Sequence, residues 1–369
     1  MAADDDATEL EPVELIPAAD GSSRRLPFDP DAPLLEVEHL TVEFPTDDGL
    51  VHAVDDVSFS VRANEVLGIV GESGSGKSVT SMAILGLLPK TANVRGSVRF
   101  RGVDLIGRKE KEMQPIRGAR IAMIFQDALA SLNPVFKVGD QIDEAIRVHR
   151  KLPNRAIRER VIELLDLVGI PQPRRRADQY PHEYSGGMRQ RAMIAMSIAN
   201  DPDILIADEP TTALDVTIQA QVLEVLERIQ ERTDSSILLI THDLGVVAGV
   251  ADRVMVMYAG RQAELGSVDD IFYESRHPYT LGLLASLPRL DRLGAREQRL
   301  HRIKGQPPSL TFVPPGCPFH PRCPAAEVPG RCNTERPDLR SVGSEHLSAC
   351  HFAEHLDRER LLAPERATS

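Results

Sequence analysis

The stretch that decides the fold is an eight-residue loop that reads Gly71-Glu72-Ser73-Gly74-Ser75-Gly76-Lys77-Ser78. An apolar run precedes it at residues 66–70, and residues 79–88 behind it are apolar enough to form a buried helix. The glycines let the backbone curl with its N–H groups inward, and the helix dipole adds partial positive charge at the same point. The segment therefore predicts a phosphate-binding loop at a strand-to-helix turn.

The polar residues of this loop suit a triphosphate with its metal ion. Lys77 is expected to reach the β- and γ-phosphates, and the Ser78 hydroxyl to ligate Mg²⁺. A plain flexible Gly/Ser loop is the alternative, which the strand and the helix on either side disfavour. The predicted nucleotide contacts are Gly71, Ser73, Gly74, Ser75, Gly76, Lys77, Ser78 and Val79.

Composition narrows the class of protein. The chain has 369 residues, 42% hydrophobic and 27% charged, which suits a soluble globular protein with one large domain and an appendage. Neither a signal peptide nor a run of 18 apolar residues is apparent, so we expect a cytoplasmic protein. The net charge of −12 and the 4% aromatic content disfavour nucleic acid as a partner.

Further strands are predicted on both sides of the loop. Residues 35–44 and 54–61 alternate apolar and polar positions, which indicates an antiparallel layer. Residues 120–125 form an apolar run that ends at Gln126, a residue that could simply end the strand. Residues 127–184 are expected to be largely helical, with an apolar face formed by Ile157, Val161, Leu164, Leu165 and Val168.

Two later apolar runs also end in polar residues. Residues 203–207 lead into Asp208 and Glu209. We expect Asp208 to bind Mg²⁺ opposite Ser78 and Glu209 to polarise the water that attacks the γ-phosphate, although paired acids could merely begin a loop. His242 follows the run at residues 237–240, and its position at the same sheet edge favours a γ-phosphate sensor over a structural role.

A second anion site is predicted at Ser185, Gly186 and Gly187, ahead of a helix placed at residues 193–200. Adjacent glycines expose the first N–H groups of a helix, although they could also form a plain loop. One chain thus carries two phosphate-facing helix ends. A further amphipathic helix follows Asp215, with an apolar face formed by Ile218, Val222, Val225, Leu226 and Ile229.

These motifs together resemble the ATP-binding-cassette (ABC) ATPases over residues 35 to about 268. The matching elements are Walker A (71–78), the Q-loop (Gln126), the signature (185–190), Walker B (204–209), the D-loop (Asp215) and the switch histidine (His242). The resemblance implies an α/β fold of the P-loop NTPase type. Its core is a RecA-like parallel sheet with an antiparallel β layer and a helical subdomain, here followed by a Cys-rich C-terminal extension.

The resemblance also implies how the site works. ATP lies between Walker A of one chain and the signature of another in a head-to-tail dimer. The facing chain then contributes Ser185, Gly186, Gly187, Gln190 and Asp215. Within the first chain the implied catalytic residues are Glu209, His242 and Gln126, and the implied Mg²⁺ ligands are Ser78, Gln126 and Asp208.

A closer resemblance is to the ATPase subunits of oligopeptide and dipeptide importers, which include nickel importers. It rests on residues 126–134, 277–287 and 303–308. It implies ATP-driven peptide import by a peripheral protein at the cytoplasmic face of the membrane. The implied partners are a second, distinct cassette chain, two transmembrane permease subunits and an extracytoplasmic solute-binding protein. Import of nickel or another solute, and a soluble cassette protein without a transport role, are the alternatives.

Three regions are predicted. Residues 1–33 form an acidic N-terminal extension that we expect to be disordered, because they show little periodicity. Residues 34–268 form the nucleotide-binding domain, with the helical subdomain at about 127–190. Residues 269–369 form the C-terminal extension. Cassettes place an aromatic residue ahead of Walker A to stack on adenine. Residues 46–52 offer none, so Phe44 or His52 is the candidate.

The cysteines lie close together in the sequence, at Cys317, Cys323, Cys332 and Cys350. Such clustering in a reducing compartment favours a metal site over disulfides. Structural zinc sites generally include a closely spaced cysteine pair, which is absent here, whereas four thiolates satisfy a [4Fe–4S] cluster. The C-terminal region of the resembled subfamily is associated with such a cluster. Zinc and metal-free thiols are the alternatives, and any metal is expected to have a structural role.

Overall fold

The computed structural model describes residues 33–126, 132–212, 215–287, 303–358 and Leu361. Three predicted features fall largely or partly outside these residues. They are the N-terminal extension, up to residue 32, residues 127–131 of the Q-loop resemblance, and residues 288–302, 359–360 and 362–369 of the C-terminal extension.

Strands and helices are interspersed along the described part of the chain. The strands are β1 (Leu35–Thr46), β2 (Gly49–Val61), β3 (Val66–Val70), β4 (Asn93–Phe100), β5 (Val103–Asp104), β6 (Ile121–Ile124), β7 (Ile204–Asp208), β8 (Ser236–Thr241), β9 (Arg253–Tyr258), β10 (Arg261–Ser267), β11 (Arg340–Ser341) and β12 (Leu347–Ser348). The α-helices are α1 (Lys77–Ile84), α2 (Glu110–Met113), α3 (Val138–His149), α4 (Asn154–Leu167), α5 (Pro173–Arg176), α6 (Gly186–Ser197), α7 (Val216–Thr233), α8 (Leu244–Val247), α9 (Val268–Tyr273), α10 (Pro278–Ala285) and α11 (Arg331–Thr334). Short 3₁₀ turns lie at Pro181–Glu183, His320–Arg322 and Ala353–His355.

The main sheet has the strand order β11-β12-β10-β9-β3-β8-β7-β6. Strands β9, β3, β8, β7 and β6 run parallel to one another. Strands β10, β12 and β11 continue the sheet beyond β9 in antiparallel pairs. All residues of β3, β6, β7 and β8 are buried. Their continuous apolar sequences arise because helices or strands cover both faces of the sheet.

Alternate residues of the central strands enter two separate cores. Val70 and Leu205 pack on the side that carries the helices α3, α4, α6 and α7. Ile69 and Ile206 pack on the other side, against α1 and the antiparallel layer. That layer is a four-stranded sheet of order β2-β1-β4-β5, as the alternating sequence predicted for its first two strands.

Two predicted helices have different bounds in the structure. The helix predicted at residues 79–88 ends at Ile84, because Gly86 adopts φ = 60° and the Leu87 N–H donates to the Met82 carbonyl at 2.9 Å. The helix predicted at residues 193–200 begins at Gly186, because the Ser185 hydroxyl accepts a hydrogen bond from the Met188 N–H. This second correction places both signature glycines inside the first turn of α6.

The region after residue 268 is packed onto the cassette. Strand β12 pairs with β10, and Glu264 of β10 accepts hydrogen bonds from Ser275 and His346 at 2.9 and 2.8 Å. An ion pair also joins Arg62 to Glu345 at 2.6 Å. Within the described ranges, no helix has both the length and the apolar character needed to cross a membrane.

Candidate functional site

The phosphate loop joins β3 to α1 and is packed tightly on one side. A Cβ atom on Gly71 would lie 2.3 Å from the Met257 carbonyl oxygen, and one on Gly76 would lie 2.4 Å from the Ala53 carbonyl oxygen. Gly74 and Gly76 also adopt φ values of 79° and 99°, in the left-handed region that favours glycine. Gly71 and Gly76 therefore allow a close backbone approach, and the φ values of Gly74 and Gly76 provide the curled backbone that the sequence predicted.

Lys77 is buried inside the loop. Its side chain is 4% exposed, and its Nζ donates to the carbonyl oxygens of Gly71 and Glu72 at 2.8 and 3.1 Å. Burial lowers the pKa of Lys77, whereas nearby carboxylates, Glu209 first among them at 4.0 Å, oppose that shift. A cation held by two carbonyls and facing a carboxylate is placed to bind an anion that enters the loop.

Ser78 and Asp208 meet at the junction of α1 and β7. The Ser78 hydroxyl donates to Asp208 Oδ1 at 3.0 Å. Burial raises the pKa of Asp208, and the hydrogen bond from Ser78 acts in the opposite direction. One hydroxyl and one carboxylate are oxygen ligands of the kind that Mg²⁺ prefers, so these residues fit the ion that the sequence predicted here.

Glu209 is held in place from several directions. Its Oε2 accepts hydrogen bonds from Gln126 Nε2 at 3.2 Å and from the Thr212 hydroxyl at 2.7 Å, and it lies 3.3 Å from His242 Nδ1. Its backbone has φ = 48°, a conformation that non-glycine residues rarely adopt. The structure thus brings together the three residues that the sequence predicted as catalytic.

Most of these groups, but not Gly71 or Asp208, line one cleft of about 770 Å³ at the carboxyl edge of the parallel strands. The residues that line it are Glu72, Ser73, Gly74, Ser75, Gly76, Lys77, Ser78, Val79, Gln126, Glu209, His242 and Pro307. Hereafter we call it the phosphate-loop cleft. Its size, the buried Lys77 and its position at the N-terminus of α1 suit a nucleoside triphosphate.

The predicted signature and D-loop residues do not line this cleft. Ser185 and Gly186 are exposed at the start of α6, and Asp215 caps α7 by accepting a hydrogen bond from the Ile218 N–H at 3.0 Å. Gln190 is buried, and its amide donates to the Pro210 carbonyl at 2.7 Å. The chain therefore has two separate groups of predicted nucleotide contacts.

Neither residue predicted to stack on adenine lines the cleft. Phe44 packs against the core beneath the antiparallel layer, and His52 lies 3.3 Å from Glu43. Pro307 of the C-terminal region lines the cleft instead, which the sequence reasoning missed. Glu72 was also missed, although it stands inside the phosphate loop that the sequence identified.

The four cysteines surround one small cavity, which His277, His320 and His351 also line. Burial raises the pKa of Cys323 and of Cys350 to about 12. Among the residues that the structure describes, no three His, Cys, Asp or Glu side chains form a group able to hold a metal ion. The structure thus gives no support to the zinc alternative, and none of its observations identifies an iron–sulfur cluster.

The parallel sheet lies between an antiparallel layer and a helical subdomain, and it brings these groups together at one edge. This is the architecture of ATP-binding cassettes, and the chain has it. The sequence model of the family described as ABC transporter matches residues 54–212. That of the family described as oligopeptide/dipeptide transporter, C-terminal region, matches residues 263–329.

Relatives agree with both matches. The chain is 58% identical to the dipeptide transport ATP-binding protein DppD of Bacillus subtilis, over 86% of this chain and 94% of that protein. It is 49% identical to the oligopeptide transport ATP-binding protein OppD of Salmonella typhimurium, over 86% and 93%. The OppD protein of Mycobacterium tuberculosis is 54% identical over 86% of this chain, which spans about half, 52%, of that relative's length.

Solved structures show the same fold. CbiO1 of Clostridium perfringens, part of the ABC transporter complex cbiONQ, aligns with a TM-score of 0.58 and 30% identity over 71% of this chain and 97% of its own. The dimeric bacterial ABC transporter cassette MJ0796 aligns with a TM-score of 0.57 and 26% identity over 63% and 98%. The chain belongs to the ABC transporter family, and the relatives above are named as ATP-binding proteins of oligopeptide and dipeptide transport.

Proposed function

We propose that the chain hydrolyses ATP to power the import of oligopeptides or dipeptides. The observation that carries this proposal is the phosphate-loop cleft, in which Lys77 faces the fixed carboxylate of Glu209. The names of the relatives supply the transported solute. Residues 34–268 are the proposed nucleotide-binding domain and residues 269–369 the proposed extension.

In the proposed reaction, the residues of the cleft have different roles. Lys77 and the loop N–H groups hold the phosphates, and Glu209 orients and polarises the attacking water. Gln126 and His242 keep that carboxylate in position, and His242 is placed to sense the γ-phosphate. Ser78 and Asp208, with Gln126, would hold Mg²⁺, which neutralises phosphate charge when bound.

A second cassette chain completes the proposed site. Ser185, Gly186 and Gly187, with Gln190 and Asp215 behind them, lie outside the cleft of their own chain, so they serve the nucleotide of a partner. The partner is proposed to be a distinct cassette. Two transmembrane permease subunits and an extracytoplasmic solute-binding protein complete the importer, and the chain acts at the cytoplasmic face of the membrane.

The proposed site of a structural [4Fe–4S] cluster is the cavity lined by Cys317, Cys323, Cys332 and Cys350. It rests on the position of four cysteines around one cavity, because four thiolates are the ligand set of such a cluster, although their side chains are not grouped closely enough to hold a metal ion as they stand. A bound cluster would tie together a segment with little regular structure. Iron and acid-labile sulfide measured in anaerobically purified protein test this proposal, and stoichiometric zinc without iron would overturn it.

The proposed ATPase is tested with Glu209→Gln in the complex with its cassette and permease partners. This variant should bind ATP and form an ATP-dependent cassette dimer, but turn over at least about 100-fold more slowly, because the carboxylate is lost while its shape is kept. Glu231→Gln on the exposed face of α7 is the matched control. Unchanged turnover in Glu209→Gln would refute the assignment.

The transported solute is tested separately. The complete importer in proteoliposomes should show ATPase activity that rises with peptide-loaded binding protein. A rise with nickel and none with peptides would move the assignment to a metal importer. Activity that is independent of permease and solute would indicate a cassette protein without a transport role.

A further inference from the structure

A residue of the C-terminal region holds the phosphate loop through an ion pair. Arg322 forms a two-pronged ion pair with Glu72, with Nη1–Oε2 and Nη2–Oε1 distances of 2.5 and 2.9 Å. The two residues are 250 positions apart in the sequence. The Arg322 side chain is only 5% exposed and that of Glu72 is 28% exposed, so the guanidinium is shielded from solvent and salt while the carboxylate is partly open.

Arg322 is itself held by other groups. Its Nε donates to the Lys304 carbonyl at 3.1 Å, and its Nη1 donates to the Tyr258 hydroxyl at 3.3 Å. The guanidinium also lies 5.7 Å from the centre of the Tyr258 ring. These contacts hold the guanidinium N–H groups in the orientation that pairs with the Glu72 carboxylate.

The backbone of Glu72 is fixed from the same side. Its N–H donates to the Tyr279 hydroxyl at 2.9 Å, and its carbonyl accepts from Lys77 Nζ at 3.1 Å. The Tyr279 ring is fully buried and packs on Phe319, which lies three positions before Arg322. One loop residue thus joins the phosphate-binding lysine to the C-terminal extension.

A glycine-rich loop gains most from such a restraint. Glycines leave the free loop many conformations, and binding is weakened by the entropy lost when they are fixed. A loop that is already held in its binding conformation avoids part of this cost. Pro307 of the same extension lines the cleft, so the extension contacts the site in two places.

We propose that Arg322 is a positioning residue of the ATP site, which holds the phosphate loop in its binding conformation through Glu72. The proposal rests on the proposed ATPase function and adds to it a role for the C-terminal extension in the nucleotide affinity of its own chain. Tyr279 supports the same loop residue through its backbone.

The test measures the affinity of the purified chain for a fluorescent, non-hydrolysable ATP analogue. Arg322→Gln should weaken binding about tenfold, and Arg322→Lys should restore part of the loss, because it keeps the charge but not the fork. The double variant Glu72→Gln with Arg322→Gln should bind no more weakly than the poorer single variant, because each single variant already removes the same ion pair. Arg331→Gln, an exposed arginine of the extension, should bind as the native chain does.

A second readout separates positioning from stability. In the assembled importer, Arg322→Gln should raise the KM for ATP while kcat changes less than about twofold, because the loop that binds is affected and Glu209 is not. A lower Tm with unchanged affinity and unchanged KM would overturn the proposal. A native chain that binds no ATP analogue would overturn the proposed function as well, whereas native binding with no effect of Arg322→Gln overturns this inference alone.

Discussion

Acid should destabilise this protein through one buried imidazole. His277 precedes α10 and is 3% exposed, and its Nδ1 accepts a hydrogen bond from the Tyr279 N–H at 3.1 Å. Burial lowers the pKa of His277 from 6.5 to about 4, against smaller raising effects of Glu264 and the Ala349 backbone. The folded protein therefore keeps this ring neutral in a pH range where the unfolded chain protonates it.

The sign and the size of the effect follow from that difference. Below pH 6.5 the unfolded chain binds a proton at His277 that the folded chain does not. The contribution of this neutral, buried ring to the free energy of unfolding is therefore complete above pH 6.5 and is lost progressively towards pH 4. At pH 4.5 the loss amounts to about 2.5 kcal/mol of the free energy of unfolding. His277→Asn keeps a side-chain acceptor for the Tyr279 N–H and removes the titration.

The assay is urea unfolding of the full chain followed by circular dichroism at pH 7.5 and 4.5. Between these pH values His277→Asn should lose about 2.5 kcal/mol less stability than the native chain does. His182→Asn, at an exposed position, should lose as much as the native chain. An equal loss in the native chain and in His277→Asn would refute the reasoning.

Three further outcomes are expected. Gly71→Ala should weaken ATP binding at least about tenfold with the fold retained, because its Cβ would lie 2.3 Å from the Met257 carbonyl oxygen; equilibrium binding measures this. Glu264→Ala should lower the free energy of unfolding by about 3–5 kcal/mol in urea unfolding, because buried donors lose their acceptor. Glu264→Gln should lower it by less. Gln190→Leu should lower stability by about 1–3 kcal/mol in the same assay through loss of the Pro210 hydrogen bond.

The centre of the fold was predictable because its signals are local. Strands buried on both faces appear as continuous apolar runs, and parallel strands end at the same sheet edge. Since β6, β7 and β8 are neighbours in the sheet, the residues that follow them meet in space. Glu209 and His242 could therefore be assigned to one sheet edge from the residues alone, whereas Gln126 was assigned to the site only through the resemblance to the ABC ATPases.

Other parts of the site depend on contacts that leave no local pattern. The pair of Arg322 with Glu72 joins positions 250 residues apart, and neither residue stands out within its own segment. Strands β11 and β12 have two residues each, too few to show alternation. The start of α6 was misplaced because glycine has a low helix propensity, which the Ser185 cap overrides here.

Under the proposed function one chain makes an incomplete site, and the start of α6 gives a reason for this. A Cβ on Gly187 would lie 3.1 Å from Ile218, so that glycine is needed for packing within the chain. A Cβ on Gly186 would meet no described atom within 4 Å, and both Gly186 and Ser185 are exposed. The start of α6 at Ser185 and Gly186 is therefore open to a second molecule, while the phosphate-loop cleft holds Glu209, the proposed hydrolytic carboxylate. Under the proposed function, a triphosphate held from both sides joins these two surfaces only when they come from different chains.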